Sequence, residues 1–360
     1  MKKILKKRKV LRLVNSNRVT SAPFNQFTIP KIEDEDITIL TFNESEVESN
    51  SRIKIYAAKN SVITYISKIG KLLKQNKYHF LHSHTTHTAF FYFLSKFFIS
   101  NSHIPFAIIT VHCSYTNLRI IHKLMLFISS LAFDKIVFCS HASKESFPKL
   151  WLNFIGGKGV VIQNGVSVKR IKNNLMGFKK KFQKNIFKII YTGRLIKIKN
   201  VELVIDVVNS IDNTVATIIG DGSLKNELEE KVRYLGLSDR ITFLGEVSRE
   251  VVYQNLANSD LFISLSLREG LPITPLEAIL CRCSVLLSNI PPHQEIAHNC
   301  EFISLVDCEN IQNINNKVSM LMNSSRKEII ERLEKSFNHV EDNFNLDKML
   351  KNYDKLLKNN

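Results

Sequence analysis

The sequence has no apolar run long enough to cross a membrane as a helix, which takes about 18 residues or more. The nearest approach, Phe97 to Leu118, is interrupted by Asn101, His103, Pro105 and His112. The amino-terminal stretch MKKILKKRKVLRLV is basic but lacks the apolar core of a secretory signal. Cysteine is sparse: six in 360 residues, of which only Cys281 and Cys283 are neighbours. One C-x-C pair without a second makes a poor zinc site and gives no disulfide framework. The expectation is six reduced, mostly buried thiols in a cytosolic protein. No repeat at solenoid period is present, and no basic or aromatic nucleic-acid recognition module. Acidic residues are in deficit, 33 against 50 Lys and Arg, for a net charge of +17. That balance speaks about partners (nucleic acid, an anionic membrane face, phosphorylated substrates) and not about fold.

What is present is a rhythm of short apolar strands and amphipathic helices, and the chain is long enough for two domains. Strand-like segments at Val10–Val14, Ile37–Phe42, His79–His82, Phe106–Val111, Lys135–Cys139 and Gly159–Gln163 alternate with helical spacing at Ser61–Asn76, Thr86–Phe98, Leu118–Phe133 and Ser143–Leu152. Asn15–Asp36 and Asn43–Ser51 read as loops. Leu118–Leu131 is read as a core helix, with an amphipathic membrane face as the alternative. A second alternation begins with strand Ile186–Thr192. It continues through helix Val201–Asn209, strand Thr214–Ile219, helix Leu224–Leu235, strand Ile241–Leu244 and helix Arg249–Ala257. Strand Glu301–Leu305 and helices Ile311–Asn323, Arg326–Asn343 and Asp347–Leu357 close it. Such alternation predicts an α/β protein with two doubly wound, Rossmann-like domains. The expected division is 1–167, a basic stretch 168–186 read as the linker or as a helix and loop beside it, 187–344, and a helix within 345–360 that crosses back to the first domain.

The densest stretch is DLFISLSLREGLPITPLEAILCRCSVLLSNIPPHQE, Asp260 to Glu295. It reads as strand, loop, helix from Ile273 to Leu280, and strand from Ser284 to Ser288. A helix N-terminus attracts phosphate, and Gly270 lets backbone approach a ligand closely. Glu269 on the loop and Glu277 eight positions on can accept hydrogen bonds from two hydroxyl-bearing parts of one molecule, the layout of a nucleotide sugar. A solvated loop glutamate and an idle helix-face glutamate are the alternative.

REGLPITPLEA resembles the E-x7-E signature of retaining glycosyltransferases of the GT-B fold, family 4 type. The resemblance implies two Rossmann-like domains facing across a cleft. It implies that Glu269 contacts the donor sugar, that the backbone of Gly270, Leu271 and Pro272 meets the diphosphate, and that Glu277 holds the ribose. Tyr191-Thr192-Gly193-Arg194-Leu195, with Lys199 five positions after Arg194, is similar to the family's G-R-L-x-x-x-K motif. By that likeness Gly193 approaches the donor, while Arg194 and Lys199 stabilise the leaving diphosphate. Gly220-Asp221-Gly222 is either a plain turn or a loop beside the nucleotide, and Gly245 is placed near the base. Thr110-Val111-His112 resembles a T-x-H site, so His112 is expected to orient or polarise donor or acceptor. His82-Ser83-His84 resembles an H-x-H that is structural or lines an acceptor cleft. Asn15 to Pro23 lacks the glycines that the family carries after its first strand.

The resemblance therefore implies a retaining glycosyltransferase that moves a sugar from a nucleoside-diphosphate sugar to a glycan, lipid-linked in the expected setting of bacterial surface-polysaccharide synthesis. No cofactor and no obligatory metal are expected, and no nucleic acid. The expected location is the cytoplasm, peripheral on the inner membrane face, where the clusters Lys2–Arg12 and Lys169–Lys188 are candidates for meeting anionic lipid. The alternatives are an epimerase, for which no acid–base carboxylates are identifiable; a phosphorylase, for which no pyridoxal lysine signature is visible; and a non-catalytic basic binding protein.

Overall fold

The computed structural model describes residues 7–17, 24–31, 33–99, 105–178 and 186–358. The chain forms two compact units: Met1–Gln163 with Leu350–Asn360, and Asn164–Met349. The segment expected as a linker falls in the second unit, where Val168–Asn174 is helical. Residues 1–6 of the basic amino-terminal cluster, residues 18–23 of the glycine-free loop and residues 179–185 lie outside the described residues.

The first unit is a seven-stranded, all-parallel sheet of order β3-β2-β1-β4-β5-β6-β7. The strands are β1 (Arg8–Val14), β2 (Glu35–Thr41), β3 (Ile53–Ala57), β4 (Phe80–Ser83), β5 (Phe106–Val111), β6 (Lys135–Phe138) and β7 (Gly159–Val161). Central strand β5 is a near-continuous apolar run, as in a sheet covered by helices on both faces, while β1 and β4 bury the polar side chains Arg12, His82 and Ser83 among their apolar ones. Helices α1 (Val62–Gln75), α2 (Thr86–Ser95), α3 (Ile120–Ser129), α4 (His141–Glu145) and α5 (Lys149–Ile155) supply that cover. Their starts are written locally: Ser61, Thr85 and Ser140 each accept a hydrogen bond from the amide three residues on.

Three expectations for this unit need correction, and one strand is absent from them. The Asn15–Asp36 loop contains two helical turns, Phe24–Thr28 and Ile29–Lys31, of which the first buries Phe24 and Phe27. Strand β3 escapes the sequence pattern, because as an edge strand it alternates buried and exposed side chains over only five residues. The helix expected over Ser143–Leu152 is two helices, because Pro148 sits between Ser146 and Lys149 and cannot extend a ladder. Helix α3 is not a core helix: only Leu126 and Ser129 of its residues are buried.

The second unit opens with α6 (Val168–Asn174) and has a six-stranded parallel sheet of order β10-β9-β8-β11-β12-β13. Its strands are β8 (Phe187–Thr192), β9 (Thr214–Ile219), β10 (Ile241–Gly245), β11 (Leu261–Ser264), β12 (Ser284–Ser288) and β13 (Ser304–Val306). Helices α7 (Glu202–Ser210), α8 (Lys225–Tyr234), α9 (Arg249–Asn258), α10 (Ile273–Leu280), α11 (Pro291–Ala297), α12 (Ile311–Met322) and α13 (Arg326–Asn343) connect and cover them. A capping box, Ser325 with Glu328, starts α13. Helix α14 (Leu346–Lys358) begins in this unit and passes into the first at Leu350. There Tyr353 donates to or accepts from Thr110 at 2.8 Å, and Asp354 takes ion pairs from Arg8 (2.6 Å) and Lys31 (2.7 Å). All six cysteines are unbridged, four of them buried.

Candidate active site

In an open parallel sheet, ligands bind outside the carboxyl ends of the strands where the winding reverses. In the second unit that point lies between β8 and β11, which are neighbours in the sheet. The chain leaves β8 through Gly193 and Arg194 and leaves β11 toward Glu269. A 3-10 turn at Lys197–Lys199 brings Lys199 back, and its Nζ meets Glu269 Oε1 at 2.5 Å. The Leu267 amide donates to the Ile198 carbonyl at 2.9 Å, so the two loops are fastened by backbone as well. Tyr191, buried below, donates its hydroxyl to the Arg194 carbonyl at 3.0 Å. Burial first, and Glu269 second, push the Tyr191 pKa up, so it stays a neutral donor. The Arg194 guanidinium is exposed and makes no hydrogen bond or ion pair among the described residues. With Lys199 and Glu269 neutralising each other, Arg194 is an uncompensated charge at this edge, fit for a phosphate.

The Gly-Asp-Gly turn after β9 has a packing reason. A Cβ on Gly220 would lie 2.0 Å from the Gly193 carbonyl oxygen, and one on Gly222 would lie 2.3 Å from that of Leu195. Leu195 N donates to Asp221 O at 2.8 Å, and Gly220 N to Gly245 O at 2.8 Å. The loops after β8, β9 and β10 are thus laced together, and any side chain at Gly220 or Gly222 would push them apart.

Glu277 lies on α10, buried, and its contacts use a single oxygen. Oε1 pairs with Arg249, accepts from the Tyr253 hydroxyl at 3.0 Å, and lies 3.9 Å from Arg170. Burial opposes the charge on Arg249, but Glu277 and Tyr253 outweigh it and hold its pKa above the usual value. Helix α10 itself starts at Ile273, with Pro272 at the N-cap position and no side-chain cap. The Leu271 carbonyl accepts from the Asn164 side chain at 3.0 Å. Beneath the Glu269 loop, the ring of fully buried His293 bonds the Ser288 carbonyl through Nδ1 at 2.9 Å, and Ser288 Oγ donates to Ser266 O at 2.6 Å. His293 Nε2 is buried without a hydrogen bond, and burial lowers this pKa to about 4.

In the first unit the strand ends carry histidines. His82 bonds Thr110 at 2.8 Å, and Thr110 bonds Tyr353. His84 Nδ1 faces His112 Nε2 at 3.3 Å, and the His82 and His84 rings lie 3.9 Å apart, with Phe27 against both. Burial is the main cause that lowers all three pKa values, and neighbouring Arg12 and the other rings add to it for His82 and His84; His112 falls to about 4. The cluster is therefore neutral near pH 7. Arg12 lies buried nearby, held by Glu35 at 2.8 Å. Among the described residues no three His, Cys, Asp or Glu side chains are grouped so as to hold a metal.

Residues 172–336 match the family described as Glycosyl transferases group 1, and residues 36–170 match Glycosyltransferase Family 4. The chain carries both glycosyltransferase domains and is a glycosyltransferase. It is 26% identical over 301 residues to the UDP-Gal:alpha-D-GlcNAc-diphosphoundecaprenol alpha-1,3-galactosyltransferase of Escherichia coli, covering 75% of this chain and 74% of that one. It is 31% identical over 179 residues to the capsular polysaccharide biosynthesis glycosyltransferase CapH of Staphylococcus aureus, covering 48% and 44%. Among solved structures, Anabaena HepE in complex with UDP and glucose superposes with a TM-score of 0.79 at 15% identity, over 98% of this chain and 100% of that one. Sucrose-phosphate synthase from Thermosynechococcus elongatus also superposes at 0.79, with 12% identity and coverage of 98% and 99%. These likenesses show an α/β fold of the GT-B type.

The glycosyltransferase thus brings Gly193, Arg194, Lys199, Glu269 and Gly270 to one strand edge, with Gly220, Gly222 and Gly245 in the adjoining loops. Glu277 is held at the buried side of α10 by Arg249, Tyr253 and Arg170, none of which the motifs single out; nothing in their local sequence announces the pairing. His293, Ser288 and Ser266 carry no motif signal either, although all three lie within Asp260 to Glu295. A groove of about 650 Å3 between α1 and the end of α2 is lined by Ile63, Ile66, Gly70, Lys71, Lys74 and Phe98, and none of the candidate residues lines it.

Proposed function

We propose that this glycosyltransferase moves a sugar, with retention, from a nucleoside-diphosphate donor to a polyprenyl-diphosphate-linked glycan in surface-polysaccharide synthesis. The observation that carries the reading is the Lys199–Glu269 pair beside the exposed Arg194, at the switch point of the second sheet. Arg194 and Lys199 meet the diphosphate, whose negative charge grows as its bond to the anomeric carbon breaks. Preorganised cations there stabilise the transition state more than the ground state. As the diphosphate draws Lys199 away, Glu269 Oε1 accepts from the sugar's hydroxyls in its place. Glu277, its Oε1 already engaged, offers Oε2 to the ribose. The acceptor hydroxyl attacks on the face the leaving group departs from. His112 orients a substrate group as a neutral ring. No metal is needed where two cations serve the diphosphate, so activity should survive chelation by EDTA.

A UDP sugar is the first donor to try, because the Escherichia coli relative is named for UDP-Gal. That relative, and one of Campylobacter jejuni, are named for acceptors on a diphospho-undecaprenol carrier, which favours work at the inner membrane face. The test is a thermal-shift panel with UDP, GDP, ADP and their sugars, followed by transfer to a polyprenyl-diphosphate sugar. A midpoint rise with one nucleotide, lost in Arg194→Ala, is expected. Undiminished transfer in both Arg194→Ala and Glu269→Ala sinks the assignment.

A further inference from the structure

From residue 49 to residue 133 the chain holds no Asp or Glu, although 33 of its 360 residues are acidic, and the same stretch holds ten Lys and Arg. In the folded first unit this stretch ends in α3, whose apolar stripe turns outward. Ile120 is 86% exposed, and Ile121, Leu124 and Phe127 are exposed one and two turns on. The spacing i, i+1, i+4, i+7 is one face of a helix, and it is the face that a core helix would bury. The neighbouring α5 extends the surface. Leu150 is 85% exposed, and Phe154 stacks on Phe127 with ring centroids 4.7 Å apart. Exposed Arg119 and Lys149 stand at the starts of the two helices, and Lys123 lies over the Tyr115 ring. Neither helix carries an acid.

We infer that the α3–α5 face is where the enzyme docks on an anionic lipid bilayer. Large apolar side chains enter the headgroup–acyl boundary while cations at the edge meet lipid phosphates. A contiguous apolar patch of this kind is rare on a surface with no partner. A second copy is the poorer occupant: a two-fold interface sets each patch against itself and brings Arg119, Lys149 and their symmetry mates together without a counter-charge. The inference deepens the membrane-side reading of the proposed function by assigning it a surface, and its test is independent of transfer.

The full chain is sedimented with vesicles of phosphatidylglycerol mixed with phosphatidylcholine, and with vesicles of phosphatidylcholine alone. Binding to the mixed vesicles is expected, weakened by salt and by omission of the anionic lipid. The triple variant Ile120→Ser, Leu124→Ser, Leu150→Ser should lose about tenfold or more of the partition coefficient, with an unchanged unfolding midpoint and an unchanged shift on nucleotide. Arg119→Glu with Lys149→Glu should lower binding to mixed vesicles only. Absence of vesicle binding overturns the inference, as does equal binding by the triple variant. A dimer in analytical ultracentrifugation that the triple variant abolishes, with no vesicle binding, assigns the face to a second copy instead. Transfer to a short-chain, water-dispersed acceptor is measured in parallel. Its failure condemns the functional reading, and failure of the vesicle arm alone condemns the surface.

Discussion

The two units share an architecture and differ in how they present polar chemistry. At the strand ends of the second unit, charge is met by charge: Lys199 with Glu269, Arg249 with Glu277. At the strand ends of the first, neutral rings and hydroxyls form a chain, His84 to His112 and His82 to Thr110 to Tyr353. For the donor grip proposed above, fixed charges already paired have a use, since each partner is released only when a ligand replaces it. A unit of buried neutral histidines offers donors and acceptors without adding charge. One fold therefore supplies two electrostatic regimes, selected by the side chains that cap each strand's carboxyl end.

Experiment can overturn this contrast. Its largest expected consequence is at Arg194. Arg194→Ala should lower kcat/KM by about 10²–10³ with the fold intact, as for loss of one preorganised oxyanion donor; steady-state kinetics with the identified donor decide it. Next comes Arg249→Ala, which strands the buried Glu277 carboxylate and should cost about 3 kcal/mol of stability, read by urea unfolding. Removing both charges, Arg249→Met with Glu277→Gln, should recover part of that, and no recovery would show that packing, not charge, is what Arg249 supplies.

Acid should act on the neutral unit. His82, His84 and His112 take up protons in the unfolded chain near 6.5 but resist in the fold, His112 until about 4. The unfolded state then binds more protons, so stability is flat above about pH 6.5 and falls as pH drops from there toward 4. Each histidine contributes a slope of up to about 1.4 kcal/mol per pH unit. Unfolding measured at pH 7.5 and pH 5 checks it; equal stability at both would mean that the cluster is open to protons. The smallest effect is expected for Tyr353→Phe, which removes one hydroxyl and leaves Thr110 its bond to His82; about 1 kcal/mol is expected, by the same unfolding measurement.

Much of the fold is legible in the sequence because a doubly wound domain repeats one local pattern. Phe106–Val111, Thr214–Ile219, Ile273–Leu280, Ser284–Ser288 and Arg326–Asn343 coincide with their elements end for end. What escapes is set by neighbours. β3 is an edge strand with one dry face, and α11 is a seven-residue helix that opens on two prolines, too short to show a period. Helix α3 is the most instructive case: its periodicity is plain, but periodicity names a stripe and does not say what covers it. The same limit governs the candidate site. Arg194 and Glu269 announce themselves by motif, whereas Arg170, Arg249 and Tyr253 reach Glu277 across 107, 28 and 24 positions of chain.

The end of α14 has a consequence for synthesis. Asp354 neutralises Arg8 and Lys31, and Tyr353 completes the bond to Thr110, yet all of the second unit's sequence is translated between these partners. At about 5–20 residues per second, the first unit waits on the ribosome for on the order of ten seconds or more before its last piece emerges. For that interval Lys31 waits for Asp354, Arg8 has Glu35 alone, and Thr110 has not yet met Tyr353, so the newly made sheet carries an incomplete flank until the last helix is translated.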